Sequence, residues 1–220
     1  MKTIYVFSNS HGMMFDPQYQ RAEGQESIIH SEVRFVNPIS GVATCYSIRD
    51  HDENMKKQLS LIEFGERDVL WMSFGEIDVR FHIFYYHEKD KITVDESIDR
   101  VVDVYFSYIR ELKNLGVPIC VTCCVPPQPN DSPFHNDPSY QIKDYIRGDG
   151  LDVAGRVYIT ERLNLRFKEE CEKSGIPYID FYELIVDQET RCVKMEWSKD
   201  GMHYLYIGDV LIEGLKLYED

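Results

Sequence analysis

The sequence predicts an α/β domain built on a mainly parallel sheet, and three observations carry that expectation. Apolar runs rich in β-branched and aromatic residues, at 2–7, 68–74, 117–125 and 176–181, alternate with stretches of helical periodicity. Strands that alternate with helices join by right-handed crossovers into a parallel sheet. Two of the runs stop at polar, Gly-containing loops, and ligands of such sheets bind outside the carboxyl ends of the strands.

Taken in order, residues 2–7 read as a buried strand that stops at Ser8-Asn9-Ser10-His11-Gly12. Residues 68–74 repeat that layout and end at Gly75-Glu76-Ile77-Asp78. Thr93-Val94-Asp95-Glu96 has the form of a capping box. Ile98, Val101, Val102, Tyr105, Tyr108, Ile109 and Leu112 follow it at helical spacing as far as Gly116. Residues 117–125 are the next strand, closed by Pro126-Pro127, which cannot continue a ladder. From 128 to 152 the chain is rich in Asn, Asp, Pro and Gly and reads as a long excursion, either a cover over the site or a plain surface loop. A helix beginning near Val153 or Thr160 runs to Lys173 before Gly175, residues 176–181 form a short strand, and a last helix is expected over 204–218.

A chain of 220 residues fits one core, so a single domain over 1–220 is expected, and 43% hydrophobic residues with 15 Tyr and 11 Phe can fill it. The formal charge of −14, from 38 acidic against 24 basic residues, disfavours nucleic acid and anionic membrane surfaces as partners. Neutral or cationic small molecules fit better. With no signal-peptide core and no apolar stretch of membrane-spanning length, a cytoplasmic protein is expected. Six cysteines are too sparse for a disulfide scaffold, and reduced thiols follow. Cys120 and Cys123 have C-x-x-C spacing, but residues three apart on a strand point to opposite faces. With His82, His87 and His135 scattered singly, no metal and no cofactor is expected.

A serine hydroxyl becomes a nucleophile when a base takes its proton, and a histidine serves well when a carboxylate orients it. Ser10 offers the hydroxyl after the first strand. Asp200-Gly201-Met202-His203 offers carboxylate and imidazole three residues apart, on what reads as a tight turn at a helix start. Singly, a serine in a polar turn or an aspartate before a helix is ordinary turn and cap chemistry. Their joint appearance at the two ends of an α/β chain makes them a candidate catalytic set.

At these residues the chain resembles the SGNH (GDSL-type) hydrolases. Ser8-Asn9-Ser10-His11 after the first strand is similar to that family's G-D-S block, and Asp200-Gly201-Met202-His203-Tyr204-Leu205, followed by Gly208, resembles its D-x-x-H block. Gly41, in Ile39-Ser40-Gly41, matches its glycine block, and Gly75-Glu76-Ile77-Asp78 its G-x-N-D block. The resemblance implies a flavodoxin-like three-layer α/β/α fold. It further implies Ser10 as nucleophile, His203 as general base and then acid, Asp200 as the group orienting His203, and an oxyanion hole using the backbone N–H groups of Ser10 and Gly41. Ser8 replaces the family's glycine, Asn9 its aspartate, and Ile77 stands where the oxyanion-hole asparagine is expected. One such donor is worth about 10²–10³ in turnover where it has been tested.

The implied activity is removal of a short acyl group, O-acetyl among the candidates, from a small or carbohydrate ester through an acyl-serine. Two alternatives stand beside it: an acyltransferase delivering the group to a glycan hydroxyl, and a glycan-binding module with weak catalysis. Asn9, His11, Glu76, Asp78 and Arg80 are candidate substrate contacts. For Arg80 the choice lies between gripping a carboxylate or phosphate and pairing internally with Glu76 or Asp78. For His11 it lies between contacting substrate and capping the segment that follows.

Overall fold

In a computed structural model, residues 1–16, 32–40, 43–129, 152–199 and 203–217 are described. Their sheet has five strands, all parallel: β1 (Lys2–Ser8), β2 (Val33–Ser40), β3 (Val69–Ser73), β4 (Ile119–Thr122) and β5 (Tyr178–Ile179). They lie in the order β2-β1-β3-β4-β5, with β1, beside β3, near the middle. Ser8 at the end of β1 is level with Ser40 and Ser73, so the segments that follow three strands leave the sheet side by side.

Strict alternation divides the buried strand residues between two cores. Phe7, Leu70, Met72, Ile119 and Val121 face α3 (Val94–Asn114) and α4 (Val153–Ser174). Ile4, Val6, Trp71 and Cys120 face Met14, Phe15, Phe181 and the last helix. Two helical layers thus sandwich the sheet, giving the expected three-layer α/β/α fold. The longest helices have strong local signals. Thr93 caps α3 with both halves of the capping box in place, and Gly116 follows it at φ +84°. Asp152 caps α4 at Gly155 N–H (2.6 Å), and Gly175 closes it at φ +59°. The two helices meet through Phe167, whose ring lies 5.3 Å from Tyr105 and 5.7 Å from Phe106. Three shorter helices complete the set: α1 (Asp52–Leu59), α2 (Ile83–Asp90), preceded by a π-helical turn at Asp78–His82, and α5 (Tyr182–Ile185).

Several expectations need correction. The last helix, α6, is Gly208–Gly214 and does not start at 204. Tyr204 instead pairs with Ser198 in an antiparallel bridge, and Ile207 N–H bonds to Met14 O (2.9 Å), so 204–207 is spent on non-local contacts. His203 accordingly sits in a hairpin, not at a helix start. The fourth strand is shorter than 117–125 because pairing with β3 runs only through Leu70, Trp71 and Met72. Cys120 and Cys123 pack in the same core, because β4 ends at Thr122 and its alternation does not reach Cys123. All six cysteines are buried and free. Among the described residues no helix is long and apolar enough to cross a membrane. The expected excursion at 128–152 lies, from 130 to 151, outside the described residues.

Candidate active site at the carboxyl edge of the sheet

The chain leaves β1 through a 3₁₀ turn, Ser10–Phe15. Asn9 caps it: its side-chain oxygen accepts His11 N–H (3.0 Å) and its carbonyl accepts Gly12 N–H (2.9 Å). An Asx cap therefore places Ser10, partly exposed, at the first position of the turn. Asn9 is buried, and its side-chain nitrogen has no hydrogen-bond partner, nor does Ser8 Oγ.

His203 arrives from the other end of the chain. Its carbonyl closes the hairpin by accepting Lys199 N–H (3.0 Å), and it also accepts from the Gln128 side chain (3.1 Å). Gln128 is itself held, its side-chain oxygen accepting Ser198 Oγ–H (2.6 Å) and its carbonyl accepting from Arg156 (3.2 Å). Next to His203, Tyr204 is buried and donates its hydroxyl to Pro126 O (2.8 Å); burial pushes that hydroxyl's pKa up, keeping it a donor. Against this hairpin stands His11, its ring centroid 5.6 Å from that of His203 and 5.5 Å from that of Tyr204. Head and tail of the chain thus meet at the sheet edge, one residue from Ser10. Two residues of the expected set, Asp200 and Gly41, lie outside the described residues.

The loop after β3 supplies a buried charge cluster. Gly75 turns the chain at φ +119°, and a Cβ there would come within 3.1–3.2 Å of Leu163 and Cys124. Glu76 follows, with one carboxylate oxygen 2.6 Å from His11 Nε2 and the other paired with Arg80. The His11 contact is a close approach, not an aligned hydrogen bond, since that oxygen has no partner of good geometry. Burial would raise the Glu76 pKa, but His11 and Arg80 outweigh it and hold the carboxyl at about 2. Of the two roles open to Arg80, the structure shows the internal ion pair. Asp78 is fully buried and accepts Cys45 N–H (2.7 Å), Tyr46 N–H (3.2 Å) and a contact from His82 Nδ1 (3.1 Å). Its oxygens are occupied in fastening the loop after β2, which makes it a scaffold residue. A small cavity lined by Asn9, His11, Ser73, Glu76, Cys123 and their apolar neighbours lies behind these groups.

Sequence reasoning missed two features. One is Gln128, signalled only as the first polar residue after β4. The other is the His11–Glu76 contact, signalled by polar residues just past the ends of two strands that prove adjacent.

No protein-family model matches the chain, and no curated protein matches it in sequence. Solved structures do match in three dimensions. A GDSL-like lipase from Bacteroides thetaiotaomicron superposes with TM-score 0.54 at 14% identity, over 98% of this chain and 85% of that one. A catalytic mutant of an acetylxylan esterase from Geobacillus stearothermophilus gives 0.51 at 15% identity, over 100% and 94%. A psychrotrophic esterase from Pseudoalteromonas sp., inhibited by monoethylphosphonate, gives 0.50 at 11% identity, over 97% and 96%. Sheet order, layers and these likenesses agree with the resemblance read from the sequence: the chain has the α/β/α fold of the GDSL-type hydrolases.

Proposed function

We propose that the protein is a serine-dependent ester hydrolase that removes a short acyl group from a small or carbohydrate substrate. One observation carries this reading: the turn bearing Ser10 and the hairpin bearing His203 pack together, with the His11 and His203 rings 5.6 Å apart. In the proposed reaction His203 takes the Ser10 hydroxyl proton as Oγ attacks the ester carbonyl, and the carbonyl electrons collect on an oxyanion. The Ser10 backbone N–H, at the start of the 3₁₀ turn, donates to that oxyanion together with Gly41 N–H. Collapse expels the alcohol, protonated by His203, and leaves acyl-Ser10. Water, deprotonated by His203, then releases the acid. Asp200 is the proposed orienting carboxylate.

The substrate class is supported from two sides. Solved structures of the same fold include acetyl xylan esterases. A chain of net charge −14 attracts no polyanion, whereas neutral acylated sugars meet no such barrier. With Ile77 at the asparagine position, a slow enzyme is expected, one oxyanion donor being worth about 10²–10³ in rate.

The test uses p-nitrophenyl acetate, acetylated xylo-oligosaccharides and a fluorophosphonate probe on the wild type, Ser10→Ala and His203→Ala. The wild type should hydrolyse ester and take one probe molecule, and both variants should lose labelling. Equal labelling of wild type and Ser10→Ala would remove Ser10 from the chemistry.

A further inference from the structure

Beside Ile77, where the resemblance expects an asparagine, the same loop carries the carboxylate of Glu76. Arg80, Glu76, His11 and His203 form a continuous chain of contacts: ion pair, 2.6 Å approach, and ring against ring at 5.6 Å with an interplanar angle of 35°. Arg80, Glu76 and His11 are all buried, whereas His203 is partly exposed. Of these four groups His203 is the most exposed.

We propose that Glu76 is a positioning residue for the His203 base: it fixes the His11 ring, the wall on which the His203 ring rests. This rests on the esterase reading, and adds a group that the triad does not contain. The physical reason is that a histidine on a hairpin has ring torsions to lose, and a neighbouring ring that is itself locked removes them before substrate arrives.

Other charged or titratable groups around His203 are few among the described residues. His11 comes from the β1 turn, Glu76 and Arg80 from the β3 loop and its helix, Lys199 and Tyr204 from its own hairpin, and Arg156 from α4 behind Gln128. Cys124 lies beside Glu76 with its thiol pKa raised by burial and by that carboxylate, so it stays neutral.

The experiment compares Glu76→Gln and the double variant Glu76→Gln/Arg80→Met with the wild type. Its readouts are kcat and KM for p-nitrophenyl acetate, the rate of fluorophosphonate labelling, and the NMR contacts between the His11 and His203 rings in the full chain. In both variants kcat and the labelling rate should fall about 10–100-fold with KM within about twofold, and the ring-to-ring contacts should weaken, because the His11 ring has lost its anchor. Wild-type kcat or unchanged ring contacts in Glu76→Gln overturns the proposal. Should that variant fail to fold, the double variant decides by the same measures. A wild type that takes no probe refutes the esterase reading, and the ring contacts, which need no turnover, still judge this inference separately.

Discussion

Glu76→Gln also makes a stability prediction whose size follows from the site. In the folded chain the Glu76 carboxyl titrates at about 2, against 4.5 when free, because His11 and Arg80 hold it ionised despite burial. A folded pKa below the unfolded one stabilises the fold above pH 4.5, and that stability is lost as pH falls from there toward 2. Its size at neutral pH is about 3 kcal/mol. The glutamine cannot supply it, because a neutral amide removes the charge that pairs with the buried Arg80. Urea unfolding of both proteins at pH 7, 5, 4, 3 and 2.5 reads the difference. The wild type should be more stable at pH 7, with the gap narrowing by about 3 kcal/mol as pH falls through 4.5 toward 2. Glu111, held at about 2 by Lys56 and Arg49, and Glu183, held at about 2 by Arg191 and Gln188, titrate in both proteins and cancel in the comparison. A gap of the same size at pH 7 and pH 2.5 would refute the reasoning, since it would place the cost in packing alone.

Three further perturbations separate scaffold from chemistry. Gly75→Ala forces a side chain to φ +119° against Leu163 and Cys124, and should cost on the order of 2 kcal/mol in unfolding free energy and lower ester turnover with it, as the Glu76 loop shifts. Asp78→Ala strips partners from Cys45 N–H and Tyr46 N–H, and a loss of roughly 2–5 kcal/mol by urea titration is expected. Thr93→Ala removes an exposed cap far from the site; about 1 kcal/mol should disappear from thermal or urea stability while p-nitrophenyl acetate hydrolysis stays at the wild-type rate.

The parts of the fold legible in the sequence are those whose signals are local. β1 and β3 are apolar runs with abrupt polar stops, α3 carries its own capping box, and Gly175 ends α4. β2 escaped because it contains Pro38, which an edge strand tolerates, and because its pairing with β1 slips between Tyr5 and Phe7. The helical stretch from 76 to 90 escaped because its π turn breaks the 3.6-residue period that helix reading depends on. The end of the chain was misjudged at 204–207, where an apolar run that suits a helix is claimed by a bridge to Ser198 and a bond to Met14. For the site, the turn carrying Ser10 could be read from the end of β1, whereas His203 was expected at a helix start and lies in a hairpin. The pairing of Glu76 with Arg80 could also be read, four residues on, but its contact with His11 could not, because sheet order decides which strand ends are neighbours, and composition does not state that order.

The π turn at Asp78–His82 has one more consequence. Ile83 N–H bonds back to Asp78 O across five residues, whereas Val79 N–H bonds to Gly75 O across four, so the helix carries one residue more than regular winding needs. Removing that residue would let the coil close to ordinary pitch, and because the wide turn and an ordinary turn sweep nearly the same angle, the later side chains up to Asp90 would keep their faces. The change would fall on the turn itself, where Arg80 reaches back to Glu76. This stretch can therefore give up one residue without turning α2 out of its place against α3, and a shortened version would have to renew only the answer to the charge on Glu76.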